Sequence, residues 1–171
     1  ENPGQITVSG SGTHSGHHLA LLQLQHITGA EFTYIPATGA APSVANFLGG
    51  HTMAIMANSN DLYAQTDKMK ILAIGTEDRF KQLPDVPTFI EQGVDMTAGI
   101  DRGVCVPPDT PDAIVEVLED AFAEVCKDET FVSEMEKMAF QVHNIGAKEF
   151  ADYIERKKKS TIEVLKELGE I

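Results

Sequence analysis

The sequence predicts an α/β fold in which a parallel sheet with crossover helices is followed by a further strand and a mostly helical segment. Over the first 75 residues, short β-prone runs alternate with runs of helical pattern, an order typical of parallel sheets. Two of the β-prone runs, residues 53–57 and 71–75, are continuously apolar, as expected for strands that are covered on both faces. After residue 76 the alternation stops, and helical patterns take up most of the remaining chain.

The first predicted unit consists of a strand, a loop of small polar residues and a helix. A turn at residues 2–4 places the start of the strand near Ile6. Apolar residues of segment 19–27 recur at helical spacing, and Thr28-Gly29 is a suitable C-cap. The loop between the strand and the helix contains mainly glycine, serine and threonine.

Two more strand–helix pairs follow. We expect a strand over residues 32–35 that ends at Pro36, and then a helix with Pro42 in its first turn, because proline suits that position. The glycine pair 49–50 ends that helix. The apolar strand 53–57 then leads into a short helix, whose start is marked by Asn, Ser and Asp residues.

After the fourth predicted strand, residues 71–75, the pattern changes from alternating to extended and then helical. Residues 82–87 contain two prolines, and Thr88 is suited to cap a short helix. A last strand is expected at 103–106, and the pair Thr110-Pro111 predicts a cap and a first helical residue. Three C-terminal helices are predicted from apolar stripes at Ile114, Val117, Leu118, Phe122 and Val125, at Phe131, Met135 and Met138, and at Phe150, Ile154, Ile162, Leu165 and Leu168.

Composition narrows the classes of partner. Thirteen Lys and Arg residues against twenty-six Asp and Glu residues give a net charge of −13, which disfavours nucleic acid and anionic membranes as partners. No apolar run reaches the roughly 18 residues of a membrane span. The two cysteines, Cys105 and Cys126, lack metal-ligand spacing and are interpreted as small buried apolar residues, although they could also pair. The sequence implies no cofactor and no metal.

The first loop has the composition of an anion site. A glycine-rich loop leaves backbone N–H groups unshielded, and the N-terminus of the following helix adds partial positive charge. The predicted binding residues here are Ser9, Gly10, Ser11, Gly12, Thr13, His14 and Ser15. Because ligands of open α/β sheets bind at the carboxyl ends of strands, we also expect Thr38, Gly39 and Asn58 at this edge. The alternative is a structural strand-to-helix turn without a ligand.

Histidines and one arginine remain open to two interpretations. His14 and His18 are four residues apart, a spacing that can bind a metal, but no Cys or carboxylate in this segment completes the set, which favours ordinary helix-start or ligand-facing histidines. Arg102 is suited to bind a carboxylate bidentately, through two N–H groups of its guanidinium, or to form a surface ion pair next to Asp101. Nucleophilic catalysis is not predicted, since no Gly-x-Ser-x-Gly elbow is present.

Five short motifs follow one another in a fixed order. They are Asn-Pro-Gly at 2–4 with the loop at 10–15, Ile-Pro-Ala-Thr-Gly-Ala-Ala-Pro at 35–42, Phe-Leu-Gly-Gly-His at 47–51, Leu-Pro-Asp-Val-Pro-Thr at 83–88, and Arg-Gly-Val with Pro-Pro-Asp-Thr-Pro at 102–111. In this order and at this spacing, the chain resembles the periplasmic solute-binding receptors of tripartite tricarboxylate transporters, the Bug or TctC-like family.

The resemblance implies a periplasmic-binding-protein-like fold and a division of the chain. Residues 1–95 are expected to be the α/β ligand-binding domain, the second domain of the family. Residues 96–171 are expected to be the mostly helical return segment of a first domain that is incomplete here, since family receptors are close to twice as long. A hinge is expected between residues 76 and 100.

The resemblance also implies a function that is not enzymatic. The chain is expected to capture a small carboxylate in the periplasm and to pass it to the membrane components of a tripartite transporter. Closure of two domains around the ligand is the expected mechanism. The incomplete first domain leads us to expect exposed apolar surface and self-association into a homo-oligomer.

Three departures from the family pattern leave the ligand and two alternative functions open. The Tyr-Lys pair of the second loop is Ala37-Thr38, the acidic residue after the glycine pair is absent, and the aromatic residue before Arg102 is Asp101. These changes favour, as one alternative, a structural or interaction module that no longer binds a solute. The other alternative, a nucleotide-dependent enzyme, is less favoured, because the glycines at 10, 12 and 16 do not follow the G-x-G-x-x-G spacing.

Overall fold

The structure is a computed structural model that describes residues 3–171 of the chain. Pro3 and Gly4 belong to a turn, and Asn2, the first residue of the predicted turn, lies outside the described residues. Within this range the chain forms one three-stranded sheet, six α-helices and one 3₁₀-helix.

The sheet is parallel, as predicted. It contains β1 (Thr7–Ser11), β2 (Thr33–Ala37) and β3 (Ala54–Ile55) in the order β2-β1-β3. The register of β1 with β2 runs from Thr7 opposite Thr33 to Ser11 opposite Ala37. The carboxyl ends of β1 and β2 therefore lie side by side, and the loops that follow them begin at the same edge.

Each strand is followed by a helix, which confirms the predicted alternation. These helices are α1 (Gly16–Thr28), α2 (Ala40–Leu48) and α3 (Ser59–Tyr63). Helix α1 starts three residues before the predicted segment 19–27, because Ser15 caps it and accepts a hydrogen bond from the backbone of His18.

Strand β2 continues through Pro36, where the sequence predicted its end. The backbone N–H of Thr33 donates to Ile6, and the carbonyl of Ala37 accepts from Gly12. The N–H and C=O groups of the odd-numbered residues of β2 therefore point towards β1. The nitrogen of Pro36 therefore faces the open side of an edge strand, where no N–H donor is needed.

Three other strand predictions were wrong in whole or in part. The run 53–57 contributes only the two residues of β3, and the Met53 side chain is 68% exposed. Residues 71–75 form only an isolated bridge between Ile74 and Thr88, because Pro87 offers a carbonyl but no N–H with which to extend a ladder. Residues 103–106 form no strand, since no described strand lies alongside to pair with them.

The helical C-terminal segment forms as predicted. Its helices are α4 (Asp112–Val125), α5 (Glu129–Lys137) and α6 (Ala147–Glu167). Pro111 is the N-cap of α4, where Thr110 was predicted, and it provides no side-chain cap.

The predicted helix after Thr88 is the 3₁₀-helix Ile90–Gln92. Thr88 and Glu91 stabilise its start reciprocally. The Thr88 hydroxyl accepts from the Glu91 N–H at 3.1 Å, and the Glu91 carboxylate accepts from the Thr88 N–H at 2.8 Å.

Two compact units divide the chain. The first unit is the chain up to Ile100 together with Val164–Ile171, and the second unit is Asp101–Glu163. The predicted domains 1–95 and 96–171 rest on the family resemblance and stay a prediction. The core of the first unit is formed by Val8, Leu21, Leu22, Phe80, Leu83 and Met96.

The second unit exposes much of its apolar side-chain surface, as expected for the C-terminal segment. The exposed side chains include Val104, Ile114, Val117, Phe122, Val125 and Met138. Both cysteines are free; Cys105 is exposed and Cys126 is half-buried, so the interpretation of two buried apolar residues was wrong.

Candidate functional site

The candidate site lies at the carboxyl edge of the sheet, where the three strands end. Ser11 and Ala37 are opposite each other at the ends of β1 and β2. The N–H of Met56 donates to Ser9, which places the loop leading to Asn58 on the other side of β1. The structure thus brings the three predicted loops to one edge, while their role in binding stays a prediction.

Ser9 and Gly10 belong to the body of β1 and not to the loop. Ser9 is fully buried, and its hydroxyl has no hydrogen-bond partner among the described residues. A Cβ on Gly10 would collide with the side chain of Tyr34. These two residues therefore allow close packing behind the site, and neither faces solvent at its mouth.

Two histidines of α1 satisfy backbone N–H groups of the loop. The Ser11 N–H donates to Nδ1 of His17 at 3.1 Å, and the His14 N–H donates to Nδ1 of His18 at 3.0 Å. The expectation of free N–H groups was wrong at Ser11 and His14, because imidazole acceptors six and four residues downstream reach back to them. That spacing is visible in the sequence and is the signal that was missed.

A third N–H group of the loop is also satisfied. The Gly12 N–H donates to the carbonyl of Ala37 at 2.8 Å, and the Gly12 carbonyl accepts from the Tyr34 hydroxyl at 3.0 Å. The Tyr34 ring stacks on His18 with centroids 4.2 Å apart. Tyr34, which was not among the predicted site residues, thus fixes the loop from the neighbouring strand.

The remaining donors lie nearer to the helix than predicted. Within the described chain, the backbone N–H groups of Thr13, Ser15, Gly16 and His17 donate to no acceptor. Gly16 and His17 are the first two residues of α1, where the helix dipole is positive. The Ser11 and Ser15 hydroxyls, 3.4 Å apart, lie beside these donors.

His17 packs under the first loop and is electrostatically influenced by the third. Its side chain is buried, and its Nδ1 lies 3.0 Å from the Ser11 hydroxyl. Burial lowers the pKa of His17, against the opposing effects of the nearby Asn58 side chain and Asp61 carboxylate. Asn58 is itself oriented by a 3.2 Å hydrogen bond to Asp61 at the start of α3, whereas the buried Nε2 of His17 makes no hydrogen bond within the described residues.

The stacked rings of His18 and Tyr34 lie against the loop and are partly buried. Burial lowers the pKa of His18, with an opposing effect of the Glu170 carboxylate. Burial also raises the pKa of Tyr34, and the Ser15 hydroxyl opposes that shift. Both side chains are therefore uncharged near neutral pH, and the loop is held by neutral hydrogen bonds.

His14, by contrast, is exposed and already contacts a carboxylate. Its backbone has a φ of 53°, which is uncommon for a residue other than glycine. Its Nε2 lies 3.0 Å from Oε2 of Glu170, near the end of the chain. Its ring also stacks on His18 at 5.5 Å.

Thr38 and Gly39 form the second loop. Thr38 is exposed, and Gly39 is the N-cap of α2, so both follow β2 directly and lie next to the first loop. The position of these two residues agrees with the prediction that they line the same edge.

Arg102 belongs to the second unit. Its guanidinium carbon lies 5.0 Å from the ring centroid of Phe140, a cation–π contact. The neighbouring Asp101 accepts hydrogen bonds at 2.6 Å from both the Tyr153 hydroxyl and the Lys157 ammonium. Although partial burial acts to raise it, these bonds hold the pKa of Asp101 below its usual range.

No helix in residues 3–171 combines the length and the apolar character needed to cross a bilayer. No group of three or more His, Cys, Asp and Glu side chains in that range is arranged to hold a metal ion.

The chain is similar to known proteins over nearly its whole length. A family model described as tripartite tricarboxylate transporter family receptor matches residues 1–170. A curated Cupriavidus necator protein, encoded in the gbd 5' region, is 26% identical over 169 residues, which cover 98% of this chain and 52% of that protein. This chain thus spans about half the length of that curated relative.

Solved structures have the same fold. A TctC solute-binding protein from Polaromonas, solved without ligand, is 30% identical with a TM-score of 0.79, over 95% of this chain and 57% of that one. An R. palustris protein solved with adipate is 22% identical with a TM-score of 0.79, over 98% of this chain and 57% of that one, and this likeness shows the fold alone. The predicted periplasmic-binding-protein-like fold is confirmed, and the chain belongs to the receptor family of the tripartite tricarboxylate transporters.

Proposed function

We propose that this chain is the ligand-binding part of a periplasmic solute-binding receptor that captures a small carboxylate for a tripartite tricarboxylate-type transporter. Membership of the receptor family supports this proposal. The observation that carries it is a cluster of N–H groups at Thr13, Ser15, Gly16 and His17 that have no acceptor within residues 3–171, beside the hydroxyls of the first loop.

This cluster suits a carboxylate because the backbone holds its N–H groups in place and their hydrogen bonds act at short range. The net charge of −13 repels an anion at long range, so capture depends on hydrogen bonds made at the loop itself. Each hydrogen bond to a charged carboxylate contributes about 1.5–3 kcal/mol. A few such bonds suffice for micromolar affinity, which corresponds to about −8 kcal/mol.

Capture in this proposal requires no covalent chemistry. Residues 1–95 hold the ligand, residues 96–171 return to the other domain, and a hinge between residues 76 and 100 allows the two to close. The membrane components of the transporter then recognise the closed form. Thr38, Gly39, Asn58 and Arg102 are proposed as further ligand contacts in that form.

Calorimetric titration of the purified chain tests the proposal. Adipate, succinate, malate, citrate, glutamate and aspartate are titrated, with NAD and NADP as contrasting ligands. Heat with at least one carboxylate is expected. Heat with a nucleotide and none with any carboxylate would favour the nucleotide-dependent enzyme instead.

A pair of variants at Gly16 tests the N–H groups directly. Gly16→Pro removes one donor at a position where proline is compatible with a helix, and Gly16→Ala places a Cβ against the same Ile100 side chain but keeps the N–H. We expect Gly16→Pro to bind the carboxylate about tenfold more weakly than Gly16→Ala, the loss of one charge-assisted hydrogen bond. Equal affinities of the two variants, with equal melting temperatures, would contradict the proposed contact.

A second candidate, a structural module that binds no solute, is favoured by one specific observation. The N–H groups of Ser11, Gly12 and His14 are already bonded within the chain, as a loop without a ligand would require. A folded protein that gives no heat with any of the carboxylates or nucleotides would favour this alternative.

A further inference from the structure

A carboxylate of the chain itself, that of Glu170, contacts the first loop of the proposed site. Nε2 of His14 lies 3.0 Å from Oε2 of Glu170, although the two residues are 156 positions apart in the sequence. Both side chains are partly exposed, at 43% and 35%, so the contact can open to solvent. His14 thus presents its imidazole to a carboxylate at the edge where ligand binding is proposed.

Glu170 is held in place by the end of α6. Gly169 has a φ of 71°, its N–H donates to Lys166 at 3.1 Å, and the N–H of Glu170 donates to Leu165 at 2.9 Å. These two bonds form a Schellman motif, which needs a residue with positive φ at the glycine position. The Glu170 carboxylate is therefore positioned by a defined helix cap.

A second contact between a histidine and a carboxylate lies at the other end of α1. Nε2 of His26, in the last turn of α1, lies 3.2 Å from Oε2 of Glu167. The two pairs together align the end of α6 with α1. Only the Glu170 pair reaches the loop, so Glu167 provides a matched carboxylate that does not.

Resting on the proposed function, we propose that the Glu170 carboxylate competes with the carboxylate of the ligand for His14. The Nε2–H of a histidine serves one carboxylate oxygen well at a time, and a second carboxylate nearby is repelled. The ligand therefore binds His14 after Glu170 has left it. The measured affinity is lower than the intrinsic one by the fraction of molecules in which this contact is open.

Titration of adipate into the wild type, Glu170→Gln and Glu167→Gln tests the competition. Glu170→Gln is expected to bind about two- to fivefold more tightly, the range for opening an exposed ion pair. Glu167→Gln removes the same charge from the same helix end and is expected to bind as the wild type does. In a His14→Asn background, where asparagine tolerates the positive φ, Glu170→Gln is expected to give no gain.

A fourth variant moves the carboxylate without removing its charge. Gly169→Ala strains the cap and displaces Glu170, so its adipate affinity is expected to rise as well, with the melting temperature recorded as a control for folding. If wild type binds and Glu170→Gln binds no more tightly than Glu167→Gln, the competition is wrong and the proposed receptor function stands. If no variant binds adipate or any other carboxylate of the panel, the proposed function is wrong and the competition is wrong with it.

Discussion

Among the described residues, the first unit contains all the large apolar side chains that are buried, and its first loop leaves backbone donors available, whereas the second unit leaves its large apolar side chains at least partly exposed. Val8 in β1 is 3% exposed, and Val117 in α4 is 67% exposed. The four N–H groups at 13 and 15–17, which have no acceptor in the part of the chain that the structure describes, belong to the first unit. Asp101, bonded to Tyr153 and Lys157, belongs to the second.

This difference shows that a helix depends on residues close in the sequence, whereas a sheet depends on which distant segment lies alongside. A helix closes its hydrogen bonds within four residues, so α4, α5 and α6 form from local pattern even where their apolar faces are uncovered. A strand needs a partner, and residues 103–106 remain irregular without one among the described residues.

The largest expected effect comes from truncating the same residue type in the two units. Val8→Ala removes two buried methyl groups from the central strand, and we expect it to lower the free energy of unfolding by about 2 kcal/mol. Val117→Ala is expected to change it by less than about 0.5 kcal/mol, because the side chain is exposed and alanine favours a helix. Urea unfolding at low protein concentration measures both; equal losses would mean that α4 is covered in solution.

A second prediction concerns the exposed apolar face of α4. Ile114, Val117 and Val125 share one side of the helix, and we expect the wild type to self-associate through this surface. Val117→Lys is expected to weaken association about tenfold, or about 1.4 kcal/mol. Light scattering over a range of concentrations checks this, with Glu116→Gln, which changes the net charge by the same one unit, as the control. A wild type that stays monomeric at high concentration would contradict the prediction.

The smallest expected effect is a pH dependence located in the first unit. Burial lowers the pKa values of His17 and His18 below the ordinary 6.5, so at acid pH the unfolded chain binds protons that the folded chain does not. The contribution of these two histidines to the free energy of unfolding is therefore nearly constant above about pH 7. It decreases as the pH falls below 6.5 towards their folded-state pKa values. His17→Asn, whose side-chain oxygen replaces Nδ1 as the acceptor for Ser11, is expected to reduce this dependence. Urea midpoints between pH 8 and pH 5 measure it, with His143→Asn in the second unit as the matched control.

Predictions from the sequence were correct where the signal is local. The C-cap at Gly29, the end of α2 near the glycine pair 49–50 and the helix start at Asn58 follow from residue types within one turn. The strand 71–75 failed because an apolar run does not reveal which backbone lies alongside it. The loops after β1, β2 and β3 do start at one edge of the sheet, and the role of their residues in binding stays a prediction; Ser9 and Gly10 are strand residues.

The sequence by itself determined the alternation of strands and helices from β1 to α3, the three C-terminal helices, the parallel sheet, the edge at which the loops meet and the family. These features depend on residue spacing of two to four positions and on short motifs, which can be recognised without knowing the fold. The tertiary structure alone decided which loop N–H groups remain free, because the acceptors of Ser11 and His14 are imidazoles whose direction depends on how α1 packs. It also decided that Glu170 meets His14, since a contact across 156 positions depends on where the chain brings α6 and not on local pattern.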